Sequence, residues 1–260
     1  MLLAIDCGNT NIVFAVFEGE EKRAQWRAST DIKRTADEYA VWLTQLMALE
    51  RMTAADIKGA IIASVVPRAN YGLTSLCKRY FKTDPLVVGD PGVDIGVPVR
   101  IDHPQQVGAD RLVNAVAAHK TYGGPLILID FGTATTFDVI GEDGGYEGGV
   151  IAPGVNESLE ALSLAAAKLP RIAIEGPPQR VVGSGTVSAM QSGAYWGYVG
   201  LIEGLVARIK AEDGRSLKVI ATGGLATLFA NATSVIDQVD PDVTLRGLLA
   251  LYRLNRPGRS

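Results

Sequence analysis

Ile5-Asp6-Cys7-Gly8-Asn9-Thr10 near the start and Ile129-Asp130-Phe131-Gly132-Thr133-Ala134 near the middle are the two stretches that decide how this chain folds. Each ends one apolar run and opens a second, so each reads as a β-hairpin with a special loop at its tip. A single Asp-x-Gly is ordinary turn chemistry. Two copies in the same strand-loop-strand setting read as an internal duplication, and a duplicated supersecondary unit predicts two similar lobes.

Working outward from the loops, the first half carries a third strand at 22–28, a helix at 37–49, a buried strand at 59–65, a helix at 71–81 and a strand at 86–88. The helix assignment at 37–49 rests on the period of Tyr39, Val41, Trp42, Leu43, Leu46 and Met47. Residues 89–104, rich in glycine and proline, read as loop. The pattern then restarts with a helix at 108–122, strands at 126–130, 134–140 and 148–152, a long helix at 186–211, a strand at 217–221 and a last helix at 242–254. Strands mixed with helices in both halves predict an α/β architecture with one mixed sheet per lobe, the first lobe spanning 1–120 and the second 121–260.

Composition narrows the partners. Hydrophobic residues make up 47% of the 260, enough for a core without staples, and the net charge of −3 provides no basic field for nucleic acid or an acidic membrane surface. Cys7 and Cys77 are far apart and outside metal-ligand spacing, which argues against a disulfide framework and a zinc site and for a reducing compartment. The start lacks the pattern of a signal peptide, and no apolar run approaches the roughly 18 residues that would span a bilayer. These features predict a cytoplasmic protein with a small soluble ligand. The basic tail at 253–260 reads as a solvated end.

The loops suggest what that ligand carries. Glycine lets the backbone approach an anion closely, and Asn9, Thr10 and Thr133 add donors that could complete a cradle for phosphate oxygens. Carboxylates beside a phosphate need a cation between, so Asp6 and Asp130 read as cation-facing groups, directly or through water. The plainer reading is two turns that share Asp and Gly by chance. Neither the Gly-rich loop of P-loop enzymes nor a dinucleotide fingerprint is present. Gly108-Ala109-Asp110-Arg111 opens a helix and sets a carboxylate that could accept a hydroxyl proton beside a guanidinium that could hold an acidic substrate. The same four residues also suit a helix start with Asp in its first turn. Thr222-Gly223-Gly224 reads as a platform beside an adenine ring or a plain strand-to-helix turn, and Thr186 as an N-cap or a ligand-facing hydroxyl. His103 and His119 lack matching ligands and read as loop and helix-surface residues, and Cys7 reads as a buried small residue.

Taken in order, Asp6-Cys7-Gly8-Asn9-Thr10-Asn11, Gly108-Ala109-Asp110-Arg111, Asp130-Phe131-Gly132-Thr133-Ala134-Thr135, Gly149-Val150-Ile151-Ala152-Pro153-Gly154 and Gly185-Thr186 resemble the type III pantothenate kinase family over most of the chain. The resemblance implies two ribonuclease-H-like lobes of the acetate and sugar kinase, heat-shock ATPase and actin superfamily. It implies phosphorylation of pantothenate by ATP to 4′-phosphopantothenate, the first step of coenzyme A biosynthesis. By it, Asp6, Cys7, Gly8, Asn9, Thr10, Asn11, Ile12 and Val13 form the first ATP loop and Thr133 contacts ATP. Gly108, Ala109, Asp110, Arg111 and Thr186 bind pantothenate, with Asp110 as base. Asp130 holds a monovalent cation, potassium or ammonium, Asp6 faces the Mg that accompanies ATP, and the protein is a homodimer. Family members often carry a tyrosine ahead of the Gly108 motif where this chain has Ile101-Asp102-His103. The residues also fit a nucleotide-binding regulator of the same fold without kinase activity, a kinase for another small hydroxy acid, or an exopolyphosphatase-like hydrolase.

Overall fold

The computed structural model describes residues 1–256, so the basic tail lies outside the described residues from 257 onward. The first sheet begins with the hairpin of β1 (Leu2–Cys7) and β2 (Asn11–Glu18) and continues antiparallel into β3 (Glu21–Ser29). On the other side of β1 lie β4 (Gly59–Ser64) and β5 (Leu86–Val87), both parallel, giving the order β3-β2-β1-β4-β5. Successive side chains of β1 point to opposite faces. Leu3, Ile5 and Cys7 therefore enter one core with Tyr39, Leu43 and Met47 of α1 (Ala36–Leu49) and Leu73 and Leu76 of α2 (Pro67–Tyr80). Leu2 and Ala4 enter another, where Val113 of α3 (Ala109–Tyr122) packs.

The second sheet repeats this plan. β6 (Leu126–Phe131) and β7 (Ala134–Ile140) form the hairpin, β8 (Tyr146–Pro153) extends it antiparallel, and β9 (Lys218–Gly223) and β10 (Gln238–Val239) add parallel strands. The order β10-β9-β6-β7-β8 is the first sheet's order with each strand replaced by its counterpart. Between β8 and β9 run α4 (Val155–Ala165) and α5 (Thr186–Asp213), and α6 (Ala226–Ala230) follows β9. Ile127, Ile129, Phe137 and Val219 pack against Tyr195, Val199 and Ile202 of α5 and Phe229 of α6, and the Phe131 and Phe229 rings stack at 5.4 Å. The sequence reading passes over α4. Its Leu162 and Leu164 are exposed, so it lacks the clean apolar stripe that marks a core-facing helix.

The chain divides into two units, Met1–Lys120 together with the stretch from Asp242 onward, and Thr121–Pro241. This corrects the expectation that the second lobe runs to residue 260. The last helix, α7 (Val243–Asn255), belongs to the first unit, where Leu245, Leu248, Leu251 and Tyr252 join Leu2, Ala15, Phe17 and Ile61 in one core. Uncovered, each of the larger of these strand side chains would cost about 1.5–3 kcal/mol. The fit is close: a Cβ added to Gly247 would lie 2.2 Å from the Val113 carbonyl, and one added to Gly59 would lie 1.9 Å from the Tyr252 hydroxyl. Thr244 donates to the buried Asn114 at 2.7 Å, tying α7 to α3. No helix among the described residues is long and apolar enough to cross a membrane.

Candidate active site

The duplication extends from the sheets to the hydrogen bonds that hold each loop. In the first unit the Gly8 N–H donates to the Asn11 carbonyl at 3.0 Å, and in the second the Gly132 N–H donates to the Ala134 carbonyl at 3.1 Å. The parallel strand secures the base of each loop, Val65 N–H on the Cys7 carbonyl and Gly224 N–H on the Phe131 carbonyl, both at 3.1 Å. The residue after the outer antiparallel strand secures the far side, Thr30 N–H on the Thr10 carbonyl and Gly154 N–H on the Thr133 carbonyl, both at 3.0 Å. The loops differ in length. Cys7 pairs with Ile12 across the first but Phe131 with Thr135 across the second, so the first loop is one residue longer. Asn9, Thr10, Asn11, Gly132 and Thr133 are exposed, as a backbone cradle for an anion requires.

Within the first unit, Asp110 belongs to the same neighbourhood as the Gly8 loop. Val65, bonded to the Cys7 carbonyl, lies 3.5 Å from where a Gly108 Cβ would stand. Asp110 folds back over that glycine: its Oδ1 is 2.5 Å from the same point and accepts the Arg111 N–H at 2.8 Å. A side chain at 108 would push this carboxylate out of its present position. Burial pushes the Asp110 carboxyl above the usual aspartate range, against the opposing pull of the Arg111 amide and guanidinium. Asp6, Gly8, Val13 and Arg111 are half-buried and Cys7 and Ile12 buried. Burial also raises the Cys7 thiol, in accord with its reading as packing.

In the second unit Gly154 and Gly223 close on the loop from two sides. A Cβ on Gly154 would lie 2.3 Å from the Thr133 carbonyl and 2.8 Å from that of Gly132. Gly223 has φ +93, and a Cβ there would lie 2.7 Å from the Asp130 carboxylate and 2.5 Å from the Phe131 carbonyl. Behind Gly154, the Tyr198 hydroxyl donates to the Pro153 carbonyl at 2.8 Å and meets the Thr135 hydroxyl at 2.5 Å. The space a Cβ would take at Gly223 is thus bounded by the carboxylate of Asp130 and the Phe131 backbone. Oxygen donors of this kind suit a hard cation.

Thr186 does not cap α5. Gly185 is the cap residue, its N–H donating to the Ser188 hydroxyl at 3.1 Å, and Thr186 is the exposed first helical residue. The hydroxyl is therefore not taken up by the helix start. His103 is exposed in the loop and His119 half-buried on α3. Sequence reasoning missed Thr30 and gave Gly154 no role of its own. Their equivalence shows only in the backbone hydrogen bonds, which no residue type in the repeat signals.

The family model of type III pantothenate kinase matches residues 2–208. Type III pantothenate kinases of Paramagnetospirillum magneticum and Rhodospirillum rubrum are 66% and 62% identical to this chain, covering 98% and 99% of it and 98% and 100% of their own lengths. Two solved structures share the fold: a candidate 2-dehydro-3-deoxygalactonokinase from Sinorhizobium meliloti, TM-score 0.62 at 15% identity over 100% of this chain and 98% of that one, and a candidate N-acetylglucosamine kinase from Porphyromonas gingivalis, TM-score 0.52 at 12% identity over 98% and 99%. The two mixed five-stranded sheets with their helices thus share the fold of these two structures. With the family model spanning most of its length and relatives this close from end to end, the chain belongs to the type III pantothenate kinase family.

Proposed function

We propose that this protein transfers the γ-phosphoryl group of ATP to the 4′-hydroxyl of pantothenate, the first step of coenzyme A biosynthesis, in the cytoplasm. The observation that carries the reading is the approach of Asp110 to the strand ends that bear the Gly8 loop, through Gly108, Val65 and Cys7. Phosphoryl transfer rests on positioning and charge neutralisation. In this reading the loop from Asp6 to Val13 and Thr133 hold the ATP phosphates, and Gly108, Ala109, Arg111 and Thr186 hold pantothenate. Asp110 aligns the hydroxyl and takes its proton. Its raised carboxyl is closer to working pH than an ordinary aspartate and so is a better base. Asp130 would hold potassium or ammonium and Asp6 would face Mg; when bound, these cations supply positive charge against the phosphates.

The assembly we propose is a homodimer. The exposed face of α5 supports it: Gly193, Gly197 and Gly200 share one side with nothing within 4 Å of an added Cβ, and Val187 and Trp196 nearby are 46% and 39% exposed. Small residues in such a row let a second helix approach closely.

A coupled ADP-release assay tests the reaction, run with and without pantothenate and with potassium replaced by sodium. ADP release that depends on pantothenate and drops in sodium is expected. Turnover with another hydroxy acid and none with pantothenate would overturn the substrate assignment.

A further inference from the structure

We infer that Thr30 is a positioning residue for the first phosphate loop, a role that the second loop fills without a side chain. Thr30 grips the loop twice. Its N–H donates to the Thr10 carbonyl at 3.0 Å, and its hydroxyl donates to the Gly8 carbonyl at 2.6 Å. With those two carbonyls drawn toward Thr30, the Gly8–Asn9 and Thr10–Asn11 peptide dipoles are fixed in direction, which is what an anion cradle of backbone amides requires.

The duplication supplies a built-in comparison. Gly154 stands where Thr30 stands, one residue past the outer strand, and makes the matching bond to the Thr133 carbonyl at 3.0 Å. It has no hydroxyl to offer Gly132, and even a Cβ would come within 2.8 Å of the Gly132 carbonyl. The second loop, shorter by one residue, closes directly onto backbone. The first has an extra residue of slack at its tip, and the Thr30 hydroxyl takes that slack up. β3 ends at Ser29, so Thr30 is the first residue past the ladder.

The inference rests on reading the Gly8 loop as a nucleotide phosphate site. Thr30→Val keeps the β-branched shape and the backbone bond to Thr10 and deletes only the hydroxyl, leaving the Gly8 carbonyl without its donor. Calorimetric titration of the full-length protein with the β,γ-imido analogue of ATP and magnesium is expected to show affinity falling about tenfold in Thr30→Val and returning to within about twofold of wild type in Thr30→Ser. Steady-state assays should show KM for ATP raised with KM for pantothenate unchanged, a split that general loosening of the fold would not produce. Binding by Thr30→Val within twofold of wild type, or equal impairment of both variants, would overturn the role of the hydroxyl alone. Wild-type protein that binds no analogue would overturn the phosphate-site reading with it. Wild-type protein that binds the analogue but ignores pantothenate removes only the proposed acceptor, and the Thr30 comparison then stands on the titration.

Discussion

Gly154→Ala is the perturbation whose size the structure specifies best. Gly154 has φ −63 and ψ 157, a conformation alanine adopts without strain, so any effect comes from the added methyl group alone. That methyl would sit 2.3 Å from the Thr133 carbonyl, which must retreat by about 0.7 Å to reach even 3.0 Å, and the Gly132 carbonyl at 2.8 Å must also give way. The glycine itself is pinned. Its carbonyl accepts from Ser158 N–H at 2.9 Å and Ser158 Oγ at 2.8 Å, and the preceding carbonyl accepts from Tyr198. The loop therefore moves, not the strand end. Overpacking of this kind costs about 1–3 kcal/mol, or about 2–8 °C in Tm. A displacement approaching 1 Å beside reacting groups costs up to about 100-fold in rate. We expect kcat/KM for ATP to fall by about 10- to 100-fold, with KM for pantothenate far less affected, as read by initial-rate kinetics and differential scanning calorimetry. A variant that melts several degrees lower yet retains kcat/KM within twofold would show that the Gly132 loop bears no phosphate.

Asp110→Asn should cut turnover by about 10²- to 10⁴-fold while the ATP-analogue affinity stays within a few-fold, and near-normal phosphorylation would refute the base assignment. Because burial raises the Asp110 carboxyl in the fold, its contribution to stability is present at low pH and is lost as pH rises through its folded value; the Asn variant should therefore melt no lower than wild type at pH 7, and wild-type kcat/KM should fall on the acid side above the pH of an ordinary aspartate. Burial pushes both thiols up, Cys77 to about 12, so iodoacetamide should label neither in the native protein, and rapid labelling without unfolding would contradict the packing described. Deleting the chain from Asp242 onward should yield a protein that binds a hydrophobic dye and has lost near-ultraviolet dichroism, since the face of Leu2, Phe17 and Ile61 then lacks its cover; a sharply melting truncation would refute the assignment of α7.

How much of this was legible beforehand follows from where each signal resides. The hairpins were readable because Asp-x-Gly between two apolar runs is local chemistry, and the two copies, Asp6 and Asp130, reinforced one another. The placement of α7 was not, because the apolar period of Leu245, Leu248 and Leu251 says that the helix has a buried face without saying which sheet it covers. Chain order pointed to the nearer lobe; the uncovered second face of β1 and β4 decided otherwise. Of the two readings of Thr186 the cap fails for a related reason: a threonine after Gly-Ser-Gly is a good cap by type, but Gly185 takes the cap position and bonds to Ser188.

Thr30 and Gly154 mark the far limit of what the repeat could reveal. Threonine and glycine share no side-chain chemistry, so no alignment of residue types would pair them. They are equivalent only because each follows the outer strand and donates its N–H to the carbonyl inside the loop. In a duplicated fold the backbone contact is retained while the side chain adapts to local length: the longer first loop takes a hydroxyl and the shorter second one tolerates nothing beyond hydrogen. Asymmetry between the halves is thus expected wherever their loops differ in length, and Thr30 and Gly154 are the points at which it shows.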